Sequence, residues 1–272
     1  MRYLIFADLH ANIFSLMAIL KEAERLDIDK IISLGDLIGY NSYPNECLDL
    51  IREKDIPSIK GNHEALVSGT LTMDSCKSER SQNAIEITRN ILTKENERFI
   101  SDLPQSVPIT RISTGQHASH SSIYKSINTV QRARPEFIYM KTVSLGSVFF
   151  GHTHRPGVFK ADTKLENIVN DTTLVPFNLS DEFLYMINPG SAGEPRHGLP
   201  TSFIVYDESM ARVEYKIISL PLAERKELKQ NNRRLFGITS IYRLPKQIKE
   251  KSKRVYYNIG RLKDTISGRE SE

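Results

Sequence analysis

Cysteine is nearly missing from this chain. Only Cys47 and Cys76 occur among its 272 residues, and neither belongs to a CxxC pair or sits beside a histidine. Two cysteines cannot make a disulfide framework, so both are read as structural and a reducing cytoplasm is the expected location. Long apolar runs are missing too: no stretch approaches the roughly 20 residues that span a bilayer, so no membrane partner is expected. The opening MRYLIF reaches Asp8 before it could supply the apolar core of about 7–15 residues that a signal peptide needs. No internal repeat is visible.

The charge balance is small but uneven. A net charge of +4 conceals 14 Lys/Arg against 6 Asp/Glu in residues 221–272, leaving the first 220 residues at −4. The length suits one sizeable core with an appendage. The expected division is a domain over 1–220 and a basic C-terminal extension over 221–272, helical or partly disordered.

Periodicity gives an α/β chain. RYLIFAD (2–8) is a short apolar run ending in a carboxylate and predicts a buried strand. In NIFSLMAILKEAERL (12–26), Phe14, Met17, Ala18, Leu20 and Leu26 recur at near-helical spacing. KIISLGD (30–36) repeats the strand-then-carboxylate pattern, and PNECLDLIREK (44–54) predicts a helix with Pro44 in its first turn. IPSIKGNHE (56–64) predicts a third strand closing in a Gly-Asn turn, and residues 78–103 a long helix ending before Pro104. This β-α-β-α-β opening argues for a largely parallel sheet. Beyond Pro108 the spacing predicts two strands around a Thr114-Gly115 turn, a strand in SLGSVFFGHTH (144–154), and further strands in TTLVPFNL, EFLYMINPGSAG, TSFIVYDE and ARVEYKIISL.

Strand after strand ends in residues that bind metals. DLH brings Asp8 and His10, GD brings Asp36, GNHE brings Asn62 and His63, HASH brings His117 and His120, and GHTH brings His152 and His154. Six of the seven histidines lie in these segments, His197 being the exception. Ligands gather beyond the carboxyl ends of strands in α/β sheets, so such loops can converge. The i, i+2 spacing of Asp8/His10 and His152/His154 places each pair on one side of an extended segment. Any one motif is ordinary turn chemistry; five in order are not. Two divalent ions about 3.5–4 Å apart can clamp the attacking and leaving oxygens of a phosphoryl displacement. A mixed oxygen and imidazole shell suits Mn, Fe or Zn, and a further imidazole can protonate the leaving alkoxide.

The ordered pattern D-x-H, GD, GNH, H, GHTH resembles the calcineurin-like metallophosphoesterase superfamily. GDLIGYNSYPNECLDLI, SQNAIEITRNIL, GHTHRP and INPGSAGEPRHGLPTSFIVYD are similar to one small bacterial and archaeal branch of it, over about residues 1–220. The resemblance implies a four-layer αββα sandwich with mixed sheets. Asp8, His10 and His154 would hold a first metal, Asn62, His120 and His152 a second, and Asp36 would bridge them. His63 would be the general acid, with in-line attack by a hydroxide held between the ions. Two divalent ions are thus the implied cofactors, with Mn²⁺ favoured and Fe, Zn, Ni or Mg as the other candidates.

Departures from the pattern are local. The family's His-Gly-Ser is HASHSS here; His120 is preferred to His117 because it leaves a strand before it. Asn41-Ser42-Tyr43 stands where the branch has a Gly-Pro turn, which alters the pocket rim. GDLIGYNS carries no arginine after the bridging Asp, unlike the protein Ser/Thr phosphatases of the superfamily, so that activity is not expected. Arg196 is a candidate phosphate contact or a surface ion-pair residue, Asn12 a substrate contact or a helix cap, and Tyr40 a pocket or packing residue. The expected substrate is a phosphate ester, and the activity a phosphodiesterase on small or nucleotide-type esters. The basic tail, with Tyr242, Tyr256 and Tyr257, supplies a rival reading as a nuclease or RNA-end-processing enzyme with nucleic acid as partner; a solvated helix face is the bland one. A non-catalytic protein-binding scaffold, as in the retromer subunit of this fold, is the third. An oligomer is compatible with all three.

Overall fold

β1 (Arg2–Phe6) sends its side chains into two different interiors: Leu4 and Phe6 into one apolar cluster, Tyr3 and Ile5 into another. A strand buried on both faces belongs in the middle of a layered molecule. The computed structural model describes residues 1–109, 112–115, 126–196 and 198–237. After β1 come α1 (Ile13–Arg25), β2 (Lys30–Ser33), α2 (Pro44–Glu53), α3 (Asn62–Ser68), α4 (Glu79–Ile91) and α5 (Lys94–Asp102). The second half contains β3 (Ser106–Ile109), β4 (Ile112–Gly115), α6 (Val130–Thr142), β5 (Ser147–Phe149), β6 (Gly157–Asp162) and β7 (Ile168–Asp171). β8 (Phe177–Asn178), β9 (Phe183–Asn188), β10 (Ser202–Asp207), β11 (Arg212–Ile217) and α7 (Leu222–Phe236) complete it.

The strands form two mixed sheets, ordered β2-β1-β10-β11-β8 and β3-β4-β5-β9-β6-β7. β1 lies parallel to β2, with Ile5 opposite Ile32, and antiparallel to β10, with Leu4 opposite Val205. β5 lies parallel to both β4 and β9. Period-two alternation then sorts side chains into layers. Ile5, Ile32, Ile204 and Tyr206 from one sheet meet Phe149, Tyr185 and Ile187 from the other. Phe203 and Val205 face outward against α1 and α2, packing with Leu16, Ile19, Leu48 and Ile51. On the opposite surface Ala133, Phe137 and Met140 of α6 cover Val148, Leu184 and Met186. The molecule is the four-layer αββα sandwich.

Several elements differ from the periodicity. α1 is present, but its buried face is Ile13, Leu16, Ile19 and Ala23, while Met17 is 48% exposed. Residues 56–61 make only one parallel bridge, Ser33 to Ser58, and GNHE opens α3 instead of closing a strand. The long helix of 78–103 is two helices, because Leu92 turns extended and Thr93 caps α5 through a bond from the Asn96 N–H. Thr114 and Gly115 lie within β4, paired with Val107 and Ser106, so no turn falls there. β6, β7 and α6 carry no clear sequence signal; Pro135 inside α6 disguises it. Among the described residues, no helix is long and apolar enough to cross a membrane.

Candidate metal centre

The segments that follow β1, β2 and β5, together with the start of α3, meet at one end of the two sheets. None of the paired candidate residues lies in extended chain. Asp8, His10, Asp36, His152 and His154 all have positive φ, between 48° and 72°. The i, i+2 pairs therefore converge through left-handed turns, not through strand alternation as their spacing suggests. Such conformations cost on the order of 1–3 kcal/mol each and concentrate at functional sites.

Neighbouring backbone locks these turns. The Asp8 N–H donates to Gly35 O (3.1 Å), and the His10 and Ala11 N–H groups donate to Asp36 O and Leu37 O. Asp8 O accepts from Ser191 Oγ (2.8 Å) and from the Gly193 N–H (3.1 Å). Gly193 is required there, since a Cβ would overlap the Leu9 carbonyl. Asn12 caps α1 by accepting from the Ser15 N–H and donates to Gly193 O at 3.1 Å, so it ties the first loop to the 188–196 segment.

Glu64 does the same for the second loop, and sequence reasoning missed it. Its buried carboxylate accepts from the N–H groups of Asp36 (2.9 Å), Ile38 (3.1 Å) and Gly61 (2.8 Å). Burial and the nearby Asp36 carboxylate push it up to about 8, against the three donors that pull it down. The signal was present: Glu64 stands three residues after the Gly61 N-cap, the capping-box position.

Seven of the candidate residues are brought together. Ligand atoms of Asp8, His10 and His154 lie within 4.8 Å of one another, and so do those of His10, Asp36 and His63. His154 faces His10, with the two Nε2 atoms 3.1 Å apart, while His152 Nδ1 lies 2.6 Å from the Asn62 side-chain oxygen. The GHTH pair thus points two ways. His117, His120 and His197 lie outside the described residues, as do Tyr242, Tyr256 and Tyr257 of the tail.

The electrostatics fit divalent cations. His10 Nδ1 is bonded to Ile38 O at 3.0 Å and His154 Nδ1 to Glu194 O at 2.5 Å. Carbonyls only accept, so both Nδ1 atoms carry the proton and both Nε2 atoms present lone pairs to each other. Protonating either ring is opposed: burial holds His10 well below its ordinary value, and burial with Arg196 brings His154 to about 3. Asp8 Oδ2 is buried with no hydrogen-bond partner among the described residues, and burial beside Asp36 pushes Asp8 well up. Lone pairs facing lone pairs beside two buried carboxylates make a cavity suited to positive charge.

His63 is held differently. Its N–H donates to Asp36 Oδ1 at 2.9 Å, and its ring lies against those of His10 and Tyr40, with centroids 4.6 and 4.7 Å away. Its Nδ1 is buried with no partner among the described residues. Burial, then Arg196 and Arg80, lower it to about 3. Both guanidinium groups sit over the Tyr40 ring, at 4.7 Å for Arg80 and 5.4 Å for Arg196. Arg80, which pairs with Glu194, is a second residue that sequence reasoning missed, because α4 delivers it from outside the motifs.

Comparison with known proteins agrees with this geometry. Residues 1–210 match the calcineurin-like phosphoesterase superfamily domain. An uncharacterized protein of Methanocaldococcus jannaschii is 30% identical over 219 residues, covering 78% of this chain and 87% of its own length. The crystal structure of a metallophosphoesterase from Sphaerobacter thermophilus superposes with a TM-score of 0.69 at 27% identity, covering 91% of this chain and 96% of that one. A hypothetical protein from Pyrococcus horikoshii shares the fold, with a TM-score of 0.65 at 17% identity over 87% of this chain and 96% of that one. The chain belongs to the calcineurin-like phosphoesterase superfamily.

Proposed function

We propose that this calcineurin-like phosphoesterase hydrolyses phosphodiester bonds of small or nucleotide-type substrates in the cytoplasm, using two divalent ions, with Mn²⁺ favoured. The observation that supports it most is the opposed Nε2 pair of His10 and His154 beside the unpartnered Asp8 Oδ2. Asp8, His10 and His154 would hold one ion; Asn62 and His152, with His120, the other; Asp36 would bridge them. Bound ions would neutralise the reacting phosphate and align the attacking and leaving oxygens.

The chain's own residues supply the rest. Arg196 and Arg80 reach the site over Tyr40 and set a positive field at His63. An anionic ester bound there would offset that field and let His63 take up the proton it delivers to the leaving oxygen. Glu64 keeps the Asp36 loop in register with α3.

Purified protein with Mn²⁺ is expected to hydrolyse bis(p-nitrophenyl) phosphate. Absence of turnover with Mn²⁺, Fe²⁺, Zn²⁺, Ni²⁺ and Mg²⁺ alike would overturn the enzyme reading in favour of a binding scaffold.

A further inference from the structure

α7 lies beyond the residues that the family domain covers, which end at 210, yet it packs back onto the body. Asn232 donates to Asn41 Oδ1 (2.6 Å) and accepts from Ser42 Oγ (2.5 Å), while Tyr43 bonds to Glu227 (3.2 Å) and to Asn231. Leu228 joins the apolar cluster of α1 and α2. The helix is thus seated on the Asn41-Ser42-Tyr43 segment, where the sequence departs from its branch.

Between α7 and α4 the seat leaves a cavity of about 860 Å³, within the range of small-molecule sites. It abuts the metal centre: Asn12, two residues past His10, lines it, and so does Tyr40, whose ring touches His10 and His63. Its far wall holds Arg225, Lys229 and Arg233, one helical stripe at i, i+4, i+8. Among the described residues, none of these three has a carboxylate partner. Arg80 adds a fourth cation, and among the described residues of the lining Glu79 is the one carboxylate. Phe236 and Leu228 add apolar surface beside the charges.

Like charges repeated at i, i+4 along one stripe weakly destabilise the helix that carries them, and a bound anion would remove that cost. We propose that this cavity binds the part of the substrate beyond the scissile phosphate, and that this part carries a second phosphate on a nucleotide body. The second phosphate meets the Arg225/Lys229/Arg233 stripe, and the base lies against Leu228 and Phe236. The scissile group stays beside His63. This deepens the phosphoesterase reading and rests on it for the position of the scissile bond, but binding in the cavity can be measured without metal.

The test compares adenosine 3′,5′-bisphosphate with adenosine 5′-monophosphate, titrated calorimetrically into the metal-free full-length protein. The bisphosphate is expected to bind at least about tenfold more tightly, with a preference that weakens as salt rises. Lys229→Glu and the triple variant Arg225→Ala/Lys229→Ala/Arg233→Ala are each expected to bring the ratio close to one, with circular dichroism confirming that both fold. Equal affinity of the two nucleotides for the wild type, or a ratio untouched by either variant, overturns the proposal. Failure of aryl phosphodiester turnover with every divalent ion overturns the phosphoesterase reading instead, while the titration still decides the cavity.

Discussion

His10 and His154 turn their Nε2 atoms to each other at 3.1 Å while each commits its Nδ1 proton to a backbone carbonyl. Each ring is thereby fixed in tautomer and orientation before any ion arrives, the arrangement in which outer hydrogen bonds orient metal-ligating imidazoles. The repulsion between the lone pairs is relieved when a cation is bound, so metal binding and folded-state stability are coupled.

That coupling is measurable as thermal stabilisation. Mn²⁺ or Zn²⁺ at a hundredfold excess over its Kd is expected to stabilise the metal-free protein by about 2.7 kcal/mol per site. His154→Ala should remove the contribution of the first site and, by relieving the opposed pair, leave the metal-free protein no less stable than wild type. Differential scanning calorimetry with and without EDTA reads both effects. An unchanged melting temperature on metal addition would contradict the assignment.

His63 should act on chemistry more than on metal retention. His63→Ala is expected to lower kcat for an aryl phosphodiester by about 10²–10⁴-fold, the usual contribution of a general acid. Gly39→Ala offers an independent route to the same defect. Gly39 has φ +87°, and a Cβ there would run into the buried imidazole of His63. Steady-state kinetics on both variants, with metal content measured in parallel, separates loss of the acid from loss of the ions.

Glu64→Gln tests the three-way clamp. An amide replaces one acceptor oxygen with a donor and turns it toward a backbone N–H, leaving a buried pair unsatisfied at a cost of about 1–3 kcal/mol. Metal affinity should fall about 10–100-fold, as for other groups that orient ligands without touching the ion. Urea denaturation and competition with a chromogenic chelator check the two parts.

Deleting residues 221–272 should destabilise the body, because Asn41 and Ser42 lose the Asn232 contacts and Tyr43 loses Glu227 and Asn231. About 2–4 kcal/mol is expected from several hydrogen bonds at 0.5–1.5 kcal/mol each. The nuclease reading expects, in addition, salt-sensitive RNA binding that disappears in the same truncation. Retained RNA affinity would remove the tail from that role.

The fold and the site were legible to different depths. β1 and β2 stand out because each is a short apolar run stopped by a carboxylate, and the strands after Phe183 are visible because Leu184, Met186, Phe203 and Val205 alternate with other large residues. The short ligand loops announced themselves by residue type. Their geometry did not: the turns at Asp8 and His10 are held by bonds to the Gly35–Leu37 segment, the His152 N–H by the Asp8 carboxylate, and the His154 ring by Glu194 O, all distant in sequence. Arg80 carries no local mark at all, being an ordinary helical arginine, and Glu64 is marked only as the capping-box acid of α3. α7 reads as a charge run because its seat is made by a few polar bonds and Leu228, not by a broad apolar stripe.

β1 also has a history in the making of the chain. It lies between β2, some 25 residues downstream, and β10, some 200 residues downstream, and Ser191 and Gly193 then grip Asp8. On the ribosome, at about 5–20 residues per second, one edge of β1 stays open for roughly 10–40 seconds. An open, apolar edge is a template for mispairing, so release of an incomplete chain before residue 202 is the moment of greatest exposure to aggregation. The candidate pair Asp8 and His10 is therefore synthesised long before Ser191 and Gly193, the residues that fix it in place.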